Sequence, residues 1–202
     1  ALCAARGRRI EEALRQCEAA RQGFEAEGNA PRTALSDLHR AVLLAQRGVP
    51  QHAVDCAIRA REALRCHGLG AKVVLADLVL VRGALAAGDT IGARRHLARA
   101  RAGLRRYPSP ALSYQLAFLT GEVAHADDRP ALARLSFRRA CRTLEGLRSR
   151  LGVDELRIAF LDDKAIVYES MARAALLLKG PGRLRETFAA VQQVKSRALT
   201  DL

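Results

Sequence analysis

Four alanines, Ala13, Ala53, Ala93 and Ala133, stand forty residues apart, and each is followed seven residues later by another: Ala20, Ala60, Ala100 and Ala140. Four residues after each anchor come Cys17, Ala57, Leu97 and Phe137; eleven after come Phe24, Leu64, Leu104 and Leu144. Offsets of 0, +4, +7 and +11 trace one face of an α-helix. The same face recurring at a fixed interval restricts the chain to a repeat architecture, in which one supersecondary unit stacks on the next.

Five residues before each anchor stands a turn residue: Arg8 after Gly7, then Gly48, Gly88 and Asp128. Glycine there suits a left-handed helix end. Pro50 and Pro130 then fit the first turn of the following helix, where no amide donor is needed. Upstream of the turns lie further apolar helices, roughly Pro31–Arg47, Leu69–Ala87 and Ala111–Ala126. Each repeat therefore reads as helix A, a short turn, then helix B. Alanine at 0 and +7 lets the two helices approach closely, and the larger residues at +4 and +11 fill the space between successive pairs. The fold class expected is all-α, a solenoid of helical hairpins over residues 1–202 as one domain.

The last unit breaks the period. Val153–Lys179 reads as one unbroken helix, about 40 Å long at the usual rise. Gly180-Pro181-Gly182 stops it, and Arg183–Leu202 reads as a final helix with Thr187 as the anchor equivalent and Val191 and Val194 at +4 and +7.

Half the residues are apolar and 27% are charged, enough for a large core and far from the composition of a disordered chain. The longest uncharged stretch, Tyr107 to Gly121, contains two prolines and is too short to span a bilayer. The net charge is +13, and thirty of the 34 basic residues are Arg. Five cysteines at irregular spacing fit reduced, packed thiols in a cytoplasmic protein. No signal peptide is read at residues 1–10, and the lack of an initiator Met, with helical patterns at both ends, reads as a piece of a longer chain.

Few residues carry candidate chemistry. His52 and Cys56 share one helix face at a spacing that metal ligands use, but no second pair accompanies them. Cys66-His67 are neighbours in sequence, whereas a catalytic dyad needs neighbours in space. Asp127-Asp128 read as turn and N-cap chemistry; Asp162-Asp163 fall mid-helix, where adjacent residues face different ways. No Gly-rich phosphate loop occurs. No catalytic residue, metal site or cofactor is expected. Arg21, Arg61 and Arg101, at +8 of successive B helices, could with Arg59 and Arg99 form a basic ladder for nucleic acid, or a solvated face of Arg–Glu pairs. Base-stacking aromatics are nearly missing there.

The Gly-x4-Ala-x6-Ala spacing resembles the tetratricopeptide repeat, whose unit is about 34 residues rather than 40. The stretch from Leu156 to Leu202 resembles, more specifically, the segment that joins such repeats to a CHAT domain, a caspase-like peptidase domain of many bacterial proteins. The matching residues are Arg157 and Phe160, Asp163-Lys164, Val167-Tyr168-Glu169, and Lys195, Ser196, Arg197 through Leu199; Gln192 stands where members often carry Glu. The resemblance implies a superhelical, non-catalytic, regulatory protein-binding region, with the His/Cys pair in a domain beyond Leu202. Its partner would be a protein or peptide, its own CHAT domain included, with nucleic acid as the alternative and no membrane. In the tetratricopeptide register a groove on the A helices takes Leu35, Leu38 and Val42, then Leu75, Leu78 and Arg82, then Gln115, Phe118 and Glu122. It lacks the Lys/Asn set that grips a peptide carboxylate and would suit an amphipathic helix or a neighbouring domain. A register one position off would instead make these residues ordinary core.

Overall fold

The computed structural model describes residues 2–150 and 165–176, with Phe188 and Gln192. Every described element is an α-helix, and no strand occurs among the described residues. In order they are α1 (Leu2–Ala26), α2 (Ala30–Arg47), α3 (Pro50–Cys66), α4 (Gly70–Ala86), α5 (Thr90–Arg106), α6 (Pro110–Ala126), α7 (Pro130–Arg148) and α8 (Ala165–Leu176). The chain forms two compact units, Ala1–Pro108 and Ser109–Leu202.

From α2 to α7 the helices start every twenty residues, so the forty-residue period contains a half-period. For every start in this run but that of α6, which follows Tyr107 and Pro108, the cause is one kind of turn. Gly28, Gly48, Gly68 and Gly88 all have positive φ, and Asp128 takes the same place at φ 54°. The next residue in each turn, Asn29, Val49, Leu69, Asp89 or Arg129, donates its amide to the carbonyl five residues back, over 2.8 to 3.0 Å. This bond ties off the preceding helix. Starts are as regular as ends. Asn29, Asp89 and Ser109 accept amides of the first turn with their side chains. Proline falls in the first two positions of α2, α3, α6 and α7. The turn expected at Arg8 is absent: α1 runs unbroken through Gly7 and Arg8.

In the first unit each helix packs on the next, and α2 also meets α4. Ala53 and Ala57 of α3 share a cluster with Ala41 of α2 and with Val79 and Leu80 of α4. Ala60 and Leu64 do the same with Ala34, Leu38 and Ala76. The anchor alanines of α3 and α5 are at most 1% exposed. Those of α1 differ: Ala13 is half-buried and Ala20 exposed, and α2 is the main described helix packed on α1. Close approach has a second device at Gly83, where a Cβ would lie 2.0 Å from Val54 of α3.

In the second unit α6 packs on α7, and α7 on α8. Phe118 and Phe137 meet with ring centroids 5.7 Å apart. Ala133, Ala140 and Leu144 are fully buried. The helix expected over Val153–Lys179 is described only as α8; its remainder, Gly180 to Gly182 and the anchor equivalents Thr187, Val191 and Val194 lie outside the described residues.

Candidate interaction surface

The nine residues placed on the A-helix groove divide by burial. Leu38 and Leu78 are 0% and 1% exposed, and Phe118 is buried against Phe137. These three are core side chains, a correction to the groove register. The physical reason lies in the neighbours: α4 meets α2, α3 and α5, so apolar residues cover most of its circumference. Leu35, Val42, Leu75, Gln115 and Glu122 are half-buried, and Arg82 is exposed. Leu35 and Leu75, forty residues apart on α2 and α4, border the same core cluster, and Val42 borders the other. In the first unit the accessible part of the row is therefore Leu35, Val42, Leu75 and Arg82.

The arginine ladder is largely engaged in ion pairs. Arg21 reaches Glu18 at 3.1 Å and Glu25 at 3.0 Å on its own helix. The Arg21 guanidinium, by its hydrogen bond, holds the Glu18 carboxyl below the usual carboxylate range despite partial burial. Arg61 donates from Nε to Asp77 of α4 at 2.8 Å. Arg59 approaches Asp37 at 4.0 Å. Arg99 and Arg101 make no ion pair among the described residues.

Two acids that the sequence reading did not single out organise this side of the first unit. Asp37 of α2 and Asp77 of α4 are buried and forty residues apart. Asp37 is paired with Arg40 at 3.5 Å, which in turn reaches Glu18 of α1 at 2.8 Å. Asp77, with a side chain 4% exposed, is held by Arg61 and approached by His96 Nδ1 at 3.7 Å. A buried carboxylate needs such partners, since burying it unpaired costs several kcal/mol. Asp77 thus ties α4 to α3 before it, whereas Asp37 holds Arg40 of its own helix, which reaches back to α1, and faces Arg59 of α3 after it. The signal was present as an Asp recurring at the repeat interval inside apolar stretches.

The remaining candidates stay apart. Cys56 is buried whereas His52 is exposed, and no group of three metal-ligating side chains occurs among the described residues. Cys66 is exposed at the end of α3, followed by His67 as its cap. Burial pushes the half-buried Cys17 thiol up from its ordinary value. Asp127 is the C-cap of α6 and Asp128 takes the left-handed turn position, in keeping with the turn reading, while the N-cap residue of α7 is Arg129, which makes no side-chain cap bond. Of the residues shared with the repeat–CHAT segment, Tyr168 is buried and its hydroxyl donates to Glu145 of α7, while Glu169 is exposed. Arg157, Phe160, Asp163, Lys164, Lys195, Ser196 and Arg197 lie outside the described residues, as does Asp162. No described helix is long and apolar enough to cross a membrane.

No family model, curated protein or solved structure matches this chain. The tetratricopeptide and CHAT likeness rests on the quoted residues alone.

Proposed function

We propose that this chain is a non-catalytic, regulatory protein-interaction scaffold of tetratricopeptide type, working in the bacterial cytoplasm as the repeat region of a CHAT-domain peptidase. The observation that carries the reading is the accessible row on α2 and α4. Leu35, Val42 and Leu75 stay partly open although the core behind them is closed. Side chains of that kind, repeated at forty residues and edged by Arg82, suit an amphipathic helix better than a small polar substrate. The occupant we assign is a helix of the protein's own CHAT domain.

Calorimetric titration with that domain tests the reading. Leu35→Glu with Leu75→Glu should weaken binding about tenfold or more while the helical circular dichroism persists. Apolar docking should vary little with salt. A steep loss of affinity as salt rises would favour the alternative, nucleic-acid binding through arginines such as Arg99 and Arg101.

A further inference from the structure

A cavity of about 460 Å³ opens between α3, α4 and α5 of the first unit. Its walls include Arg61 and Arg65 of α3, Arg99 and Arg106 of α5, Tyr107, and Gly70 at the start of α4. Four guanidiniums on one small cavity repel one another unless anions offset them. Two carboxylates are at hand. Asp77 accepts from Arg61 Nε, and Glu62 takes Arg65 at 2.6 Å. Arg99 and Arg106 have no carboxylate within ion-pair distance among the described residues. The cavity therefore carries an uncompensated double positive charge.

The wall is also built. The Tyr107 ring lies over the start of α4, where a Cβ on Gly70 would come within 2.0 Å of it. The Arg106 guanidinium lies 6.0 Å from the centre of the same ring. Also in the lining, the buried Asp77 fixes Arg61 through Nε alone, leaving both terminal nitrogens of that guanidinium uncommitted. Planar guanidinium forks match phosphate oxygens in paired contacts, which a lysine cannot reproduce. The volume is that of a small-molecule site.

We propose that this cavity binds a condensed phosphate, a di- or triphosphate either free or carried on a nucleoside, with Arg99 and Arg106 as its principal contacts and Asp77 as the residue that positions Arg61. The proposal is independent of the docking row on α2 and α4.

Calorimetry on the 202-residue chain at fixed ionic strength tests it, with inorganic pyrophosphate and ADP as probes. One equivalent of pyrophosphate should bind. R99A/R106A should weaken it about 30-fold or more, whereas R95A/R101A, an equal loss of charge from α5 outside the cavity, should change it less than about threefold. R99K/R106K keeps the charge and the fold but loses the forks, and should fall between these limits. Tighter ADP than pyrophosphate assigns the nucleoside-borne form; equal affinities assign the free phosphate. No pyrophosphate binding at millimolar concentration, or equal losses in the two alanine pairs, would overturn the proposal.

Discussion

The two units build the same hairpin with different fillings. Where α2 and α4 of the first unit carry the buried acids Asp37 and Asp77, α6 of the second carries Ala117 at the same step of the repeat. The B helices change in the other direction: Ala57 and Leu97 give way to Phe137. Their partners compensate. Ala57 faces a cluster containing Ala41, whereas a Cβ on Gly121, the corresponding residue of α6, would lie 2.4 Å from the Phe137 ring. The lesson is that the twenty-residue step prescribes where helices start and stop, while close packing at the contact is met by any pair of suitable summed volume. Buried acids tie successive helices of the first unit, whereas the second sets an aromatic pair between α6 and α7 and a Tyr168–Glu145 hydrogen bond between α8 and α7.

That contrast can be broken most severely at Phe137. Phe137→Ala removes the ring that fills the space above Gly121 and should cost about 3–5 kcal/mol of stability, read from the urea midpoint. Ala57→Phe, the converse change in the first unit, should cost about 1–3 kcal/mol through overpacking against Ala41. A next smaller effect belongs to the buried acid. Asp77→Ala should cost about 1–3 kcal/mol, and a double-mutant cycle with Arg61→Ala should give a coupling of about 1 kcal/mol or more. Zero coupling would show that Asp77 is held by burial alone. The turns sharpen the comparison further. Asp128→Gly should stabilise the second unit by about 1 kcal/mol, and Gly88→Asp should destabilise the first by a similar amount, since only one of these positions already has the residue that left-handed backbone favours.

The smallest effect concerns pH. Burial first, and Lys72 second, depress the pKa of His39 on α2 below its ordinary value of 6.5. The folded protein therefore releases that proton more readily than the unfolded chain does. As pH falls through 6.5 the unfolded state binds the extra proton, and stability declines until the depressed pKa is passed. Urea midpoints at pH of about 7.5 and about 5.5 should differ less in His39→Gln than in the parent protein.

Much of this architecture was legible because alanine at a helix contact has a geometric cause that recurs with the contact. Ala53, Ala60, Ala93, Ala100, Ala133 and Ala140 are all buried as their spacing required. The half-period was not drawn, because the anchors lie on B helices and direct attention to Gly48 and Gly88, whereas Gly28 and Gly68 close the intervening turns. The phase of the A helices was harder for another reason. An arc that several neighbours cover has no clear polar side, so Leu38 and Leu78 could not be told from their accessible neighbours Leu35 and Leu75. The tie between Arg61 and Asp77 joins two helices, and spacing within one helix carries no trace of it.

The mostly sequential row of helix contacts has a kinetic side. In the first unit almost every contact joins helices adjacent in sequence, the condition under which chains fold fastest. It also lets disorder enter from a margin and travel inward one helix at a time. With Ala20 exposed and α2 as its main described support, whereas α3 packs on both α2 and α4, the amides of α1 should exchange with deuterium before those of α3.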